Sequence, residues 1–482
     1  MHNTHYVPSL TLFDEQQCRA IHNATLEVLR RTGVRVYEKE ALALLKDAGA
    51  VVTDDNLVKI PADCVEWALK QAPSKIGLCS RGSTKVSVPL EGDHVNFGPG
   101  SDCPNFIDPK TGERRQFRKQ DMIDCLRLAD GLPQLSFVMS MGIPADFTEG
   151  EMKIKGNAYR QQFALMLEHS EKPIVFVADT RKDCEAIAEM AAVTQGGSDE
   201  LRLNPNLLLY SEPSSPLRHS QTATEKLLFM AEAELPIVHS PAQMMGGTAP
   251  LSVAGALTQG NAEVLSSLLI HQLKNPGAPF VYGSGLHHMD MSTTISVYGA
   301  PEFQLARVAV ASMGKYYDLP TWGYSGHTDS CVVDEQAAAD AVFSVMVAKL
   351  TGTNLIHDVG YIEGGLATAP EMMVLASEII DMINYFTCGI SLTSEAIAAE
   401  VIDRVGPGGD HLTDDYTLTH FRDLWQPTLF DRSRYEVWKQ HGAKKVQDRL
   451  KEKTISLMES HTPAPLPDKQ KQEIEEILKR ES

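Results

Sequence analysis

Four short stretches hold the side chains of this sequence best suited to chemistry: HSPAQMMGGTAP (239–250), YGSGLHHMD (282–290), WGYSGHTDS (322–330) and HDVGYIEGG (357–365). Tyr282, Trp322, Tyr324 and Tyr361 could wall a pocket for a quaternary ammonium, because a ring face attracts a cation by about 0.5–2 kcal/mol. The alternative for any one of these rings is core filling. His287, His327 and His357, with Asp329 and Gln243, are the polar candidates beside them. Together with His239 and His288 these histidines also raise a metal reading. It is the weaker one, since HExxH is missing and only Cys331 lies near them, so no metal site is expected. A hydrogen-bonded or substrate-orienting histidine is the better reading. Asp329, Asp358 and Glu363 read first as loop partners rather than as acids or bases. The glycines of GGT (246–248) and GPG (98–100) match neither GxGxxG nor a P-loop and read as turns, and no GxSxG elbow points to a serine hydrolase.

Each stretch follows a short apolar run. Eight such runs occur between residues 90 and 360: His94–Gly98, Ser136–Gly142, Pro173–Asp179, Asn206–Glu212, Pro236–Ser240, Pro279–Ser284, Pro320–Ser325 and Asn354–Gly360. They are continuous rather than alternating, as parallel strands covered on both faces are. Pro133, Pro173, Pro236, Pro279 and Pro320 stand at or just before a run, where a proline can open a strand but not interrupt a ladder. Eight strands alternating with helical stretches predict an α/β chain folded as a (β/α)8 TIM barrel, whose chemistry belongs at the far ends of the runs.

The chain has 482 residues, more than the roughly 250 of a bare barrel, so extensions are expected. The division predicted is an N-terminal helical cap over 1–90, a barrel over 91–404 and a C-terminal helical extension over 405–482. Asp14 and Gln17 have capping-box spacing, Ile21, Ala24, Val28 and Leu29 share one helical face, and Gly33 ends that helix. A second helix is expected near Glu38–Ala48, and Pro370–Cys388 has the spacing of an eighth barrel helix. VGPGGD (405–410) breaks the pattern. A Lys/Glu-rich helix from Ala443 to about Glu459 and a charged helix at the end read as a packing arm at a subunit or partner interface.

The net charge of −19 argues against a nucleic-acid partner. No stretch approaches the roughly 18 apolar residues of a membrane span. The opening MHNTHYVPSL lacks the basic start and apolar block of a signal peptide, and the eight scattered cysteines form no CxxC pair. A cytoplasmic enzyme, no membrane partner and a homo-oligomer are the expectations.

Several phrases together resemble the trimethylamine methyltransferase family: VKIPADCVEWALKQAP (58–73), NFGPGSDCPNFIDPKTGERR (96–115), GYSGHTDSCVVDEQAAAD (323–340), NLIHDVGYIEGGL (354–366) and THFRDLWQPTLFDRSRYEVW (419–438). The resemblance spans almost the whole chain. It implies a barrel enzyme that moves a methyl group from a methylated amine to the cobalt of a separate corrinoid protein, with no cofactor bound in this subunit. Family members acting on trimethylamine carry pyrrolysine, whereas this chain has only ordinary residues. It is therefore similar to the branch without pyrrolysine, which acts on quaternary amines. Glycine betaine is the leading substrate implied, giving dimethylglycine, with proline betaine, carnitine and γ-butyrobetaine as alternatives. A metal-assisted barrel hydrolase or lyase and a non-catalytic quaternary-amine binding subunit are the readings from other classes.

Overall fold

The computed structural model describes residues 5–147 and 158–480. All eight apolar runs fall on parallel pairing. Strands Ile174–Phe176, Leu207–Ser211, Ile237–His239 and Phe280–Val281 form one sheet, and Trp322–Tyr324, Leu355–His357 and Asn96–Phe97 another. Single parallel bridges link the two sheets, at Tyr282 with Thr321, Phe97 with Leu135 and Val138 with Ile174, so the second run takes its place between the first and third.

The prolines sit where the ladder can tolerate them. Pro173, Pro236, Pro279 and Pro320 offer no N–H, yet their carbonyls accept from Val138, Leu209, Ile237 and Tyr282 on the neighbouring strands at 2.8–3.3 Å. A helix follows each run: Lys119–Gly131, Ala158–His169, Arg181–Gln195, Gln221–Glu232, Val253–Lys274, Pro301–Tyr316, Glu335–Thr351 and Pro370–Thr387. Pro301 and Pro370 each occupy a first helical position, where a missing N–H costs nothing.

One apolar cluster lies inside the strands and a larger one between strands and helices. The inner cluster takes Phe137, Met139, Val175, Leu208, Val238, Val281, Trp322, Tyr324 and Leu355 from seven of the runs. It also takes Ile76, Leu78, Val88 and Leu90 from an antiparallel hairpin, Ile76–Cys79 with Val86–Leu90. The hairpin stands at the end where the strands begin: Cys79 N–H donates to the Pro205 carbonyl and Arg81 N–H to the Glu171 carbonyl, both in loops that precede strands. That end of the interior is thus plugged with apolar side chains.

The N-terminal helices are Glu15–Arg31, Lys39–Asp47 and Ala62–Gln71. The Asp14 and Gln17 capping box is present in both directions, at 2.8 and 2.9 Å. This region is not purely helical, because Val34–Val36, Val51–Thr53 and Leu57–Lys59 form a small sheet that Arg218–His219 completes from the loop after the fourth strand. At the C-terminal end of the strands, two more small sheets lie across the opening. One joins Met244–Met245, His287–Met289 and Ser296–Val297; the other joins Tyr361–Ile362, Ala367–Thr368, Asn105–Ile107 and Arg114–Gln116. Helices Val446–Ser460 and Asp468–Arg480 pack back on the body. Among the described residues no helix is long and apolar enough to cross a membrane.

Candidate active site

The strands aim alternate side chains inward, and at their C-terminal ends those side chains turn from aliphatic to aromatic and polar. Trp322 and Tyr324, two apart on the seventh strand, both join the inner cluster. His357, at the tip of the eighth strand, lies 4.2 Å from the Trp322 ring and 4.3 Å from the Tyr324 ring. Tyr210, from the fourth strand, stacks on Trp322 at 5.3 Å with planes 23° apart. Tyr298 stacks on Phe303 at 5.1 Å and meets His327 edge-on at 4.9 Å. His287 lies against Tyr298, Phe303 and Tyr324.

These groups differ in access, which sets their roles. Trp322 is 1 % exposed, Tyr324 3 % and His327 0 %, so they are covered. Tyr210, Tyr298 and His287 stand as deep yet keep accessible surface, as does the Glu212 carboxyl. Groups that are deep but accessible line a cavity. Tyr210 and Tyr298 are therefore its aromatic walls, with Trp322, Tyr324 and Phe303 behind them.

Two carboxyls around this cavity, Glu212 and Asp102, are held in the neutral direction. Desolvation pushes Glu212 up, assisted by Asp102 and Asp358 and opposed by the Tyr210 hydroxyl and Lys226. The Tyr210 hydroxyl donates to Glu212. Desolvation also raises Asp102. Three histidines are held neutral too: burial lowers His327 to about 4 and depresses His239 and His287. Arg307 is a buried cation beside these rings. It donates to the Ser284 and Leu286 carbonyls at 2.9 and 2.5 Å, and its guanidinium lies 4.5 Å over Phe303 and 4.9 Å over Tyr324. The Tyr324 ring thus already serves one cation.

Several buried polar atoms around the strand tips have no hydrogen-bond partner among the described residues: Trp322 Nε1, Ser211 Oγ, Ser325 Oγ and both ring nitrogens of His239, His327 and His357. His357 Nδ1 is 2.8 Å from Asp358 Oδ1, but the angle is not that of a hydrogen bond, so the contact is ionic only if the ring is protonated. Buried polar groups are normally satisfied, so a concentration of orphans marks a place where a polar ligand fits.

The other sequence candidates are engaged in the scaffold around the cavity or behind it. Tyr282 faces outward: its hydroxyl donates to Asn261 Oδ1 at 2.9 Å, and Asn261 in turn donates to Thr25 and Tyr317, pinning the first helix to the body. Tyr361 is buried, donates to the Ser101 carbonyl, and lies so close to Gly100 that a β-carbon there would sit 2.3 Å from its ring. Asp329 accepts from the Tyr298 and Gly299 backbone N–H groups, both at 2.7 Å, so it braces the Tyr298 wall. Gln243 donates to Ser284 Oγ at 2.7 Å and presses on Gly260 of the helix behind. Tyr210, Glu212, Tyr298 and Arg307 were not singled out from the sequence. The fourth run ends in Tyr-Ser-Glu, and the rule that favoured the other tips applies to it equally.

Among the described residues no three His, Cys, Asp or Glu side chains are grouped as a metal ion would need. A family model described as "Trimethylamine methyltransferase (MTTB)" matches residues 2–482. The chain belongs to the trimethylamine methyltransferase family. It is 33 % identical over 458 residues to a trimethylamine methyltransferase of Desulfitobacterium hafniense (strain DSM 10664 / DCB-2), covering 95 % of this chain and 91 % of that one. It is 31 % identical over 435 residues to a glycine betaine methyltransferase of Desulfitobacterium hafniense (strain Y51), covering 90 % and 89 %. Among solved structures, the monomethylamine methyltransferase of Methanosarcina barkeri aligns with a TM-score of 0.52 at 12 % identity, over 93 % of this chain and 89 % of that one, and shares the α/β fold. The protein is thus a methyltransferase of this family.

Proposed function

We propose that this chain is a (β/α)8-barrel enzyme that takes a methyl group from a quaternary amine, glycine betaine foremost, and delivers it to a corrinoid carried by a separate protein, leaving dimethylglycine. The barrel reading rests on the succession of parallel pairs, which passes through all eight runs and returns from the eighth to the first. The substrate reading rests on one observation: the cavity at the strand tips joins aromatic walls and a carboxyl to a half-buried histidine, with unpartnered polar atoms just behind them. Tyr210 and Tyr298 would face the trimethylammonium head, Glu212 would oppose its charge, and the neutral, half-buried ring of His287 would meet the carboxylate.

The acceptor supplies the nucleophile, Co(I). A quaternary nitrogen leaves as a neutral amine and needs no proton, so the protein's share of the work is orientation and exclusion of water. The experiment is turnover with reduced corrinoid protein and a panel of methylated amines, following methyl-cobalt formation by absorbance. Fastest transfer from glycine betaine supports the reading, and preference for proline betaine, carnitine or γ-butyrobetaine reassigns the substrate within it. Activity that chelation abolishes points to a metal-assisted hydrolase or lyase. Betaine binding without turnover points to a carrier subunit.

A further inference from the structure

Helix Val253–Lys274 is buried along most of its length, and a carboxyl sits in its middle: Glu263, between Ala262 and Val264, is 0 % exposed. Desolvation raises its pKa. Burying a carboxyl is unfavourable unless hydrogen bonds compensate it, so its partners tell what it holds. Glu263 Oε2 accepts from Ser215 Oγ at 2.6 Å, and Oε1 accepts from the Leu217 N–H at 2.9 Å and from Gln259 Nε2 at 3.0 Å.

Two of these bonds hold the loop after the fourth strand. That loop opens with Glu212, the carboxyl in the cavity, and Ser215 follows closely. Leu217 sits at φ 54°, a left-handed conformation that a large side chain avoids unless its surroundings impose it. The loop is gripped again at His219, whose Nε2 meets Ser266 Oγ at 2.8 Å, about one turn further along the same helix. The third bond leads to another loop. The Gln259 amide that donates to Glu263 also donates to the Thr248 carbonyl at 2.8 Å. Thr248 closes a turn on Met244: its Oγ1 accepts from the Met244 N–H at 2.9 Å, and its own N–H donates to the Met244 carbonyl at 3.0 Å. Met244 pairs in parallel with His287, the half-buried histidine of the cavity.

Each of these loops leads to one cavity group, and a single carboxyl ties both to one helix. We infer that Glu263 is a positioning residue for the amine site, fixing Glu212 through the loop after the fourth strand and His287 through Gln259 and the turn after the fifth, given the reading above in which Glu212 opposes the ammonium and His287 meets the carboxylate. Glu263 touches neither amine nor acceptor. What it sets is the separation of the two groups, which has to match the separation of the two charges on the ligand.

Calorimetry with three ligands tells positioning from general weakening: glycine betaine, tert-butylacetate, which lacks the ammonium charge, and choline, which lacks the carboxylate. Glu263→Met keeps the side chain's length and removes both acceptors, so affinity for betaine should fall by roughly 10-fold and methyl transfer by up to about 100-fold, the effect of a misplacement of about 1 Å. Glu263→Gln keeps an acceptor for Leu217 and Gln259 and offers an N–H to Ser215 Oγ, so it should restore both. Ser215→Ala and Gln259→Met cut the two arms singly, and they decide the matter if Glu263→Met fails to fold. Ser215→Ala should weaken betaine and choline and spare tert-butylacetate, whereas Gln259→Met should weaken betaine and tert-butylacetate and spare choline. A folded Glu263→Met with wild-type betaine affinity overturns the proposal, and so does an equal loss of all three ligands in both single variants. Amide hydrogen exchange needs no ligand: in Glu263→Met the Arg218 and Thr248 amides should lose protection together. If Glu212→Gln leaves betaine affinity unchanged, the reading of the cavity fails; exchange then still decides whether Glu263 joins the loops, and retained protection at either amide overturns that as well.

Discussion

Replacing Tyr210 with leucine separates a binding wall from a packing residue. The ring stacks on Trp322 at 5.3 Å, lies 5.6 Å from His357, and keeps a face toward the cavity. Leucine keeps apolar bulk but removes that face. A partly desolvated cation–π contact contributes about 0.5–2 kcal/mol, so affinity for glycine betaine should fall by roughly 2- to 30-fold. Losing the stacked pair should cost about 0.5–1.5 kcal/mol of stability as well. Calorimetric titration without acceptor measures the first and thermal unfolding the second. The carbon isostere tert-butylacetate is the control: it has the same shape without the ammonium charge, and its binding should change far less. Trp322→Leu should show the opposite balance, with a stability loss of about 2 kcal/mol and a smaller loss of affinity, because that ring is covered. Unchanged betaine affinity in Tyr210→Leu alongside a lowered melting temperature would refute the cavity-wall assignment.

Three other outcomes follow from the same geometry. Because Glu212 is held toward its neutral form, a cationic ligand should bind more tightly as pH rises to the carboxyl's own pKa and level off above it; Glu212→Gln should weaken binding and flatten that profile, and an unaltered profile excludes the residue. Tyr282→Phe, which removes only the bond to Asn261, should cost about 1 kcal/mol of stability and leave betaine affinity untouched, and a change in affinity would return Tyr282 to the cavity. His219 and His327 are lowered to about 4, and His271 to about 3, by burial. Each stays neutral in the fold but protonates in the unfolded chain near its usual 6.5, so stability should fall as pH drops below that value, by on the order of 3 kcal/mol per ring near pH 4. A flat denaturation midpoint between about pH 7 and pH 5 would contradict this.

The alternation of runs and helices was legible because proline and β-rich apolar stretches obey local rules. The helix expected over Pro370–Cys388 is found over Pro370–Thr387, and the eight runs all meet parallel partners. Which face a tip side chain takes was harder to read. Trp322 and Tyr324 share the inner face because they are two apart, whereas Tyr282 stands one step beyond the inward Val281 and so faces out. That one-residue phase is set by where the ladder begins, which composition does not reveal. Tyr298 was hidden for another reason. It belongs to no strand tip but to the segment before helix Pro301–Tyr316, and it reaches the cavity only because Asp329, 31 positions later, grips its backbone. Long-range bonds of that kind leave no periodic trace.

The hairpin that fills the end where the parallel strands begin sets an order of traffic. A chamber stopped at one end has a single doorway, and under the function proposed above the amine, the demethylated product and the methyl acceptor all use it. The amine has to be seated before the acceptor arrives, and the product is confined until the acceptor departs. A surplus of acceptor protein would therefore be a barrier as well as a reactant, closing the doorway on an empty chamber or a spent one.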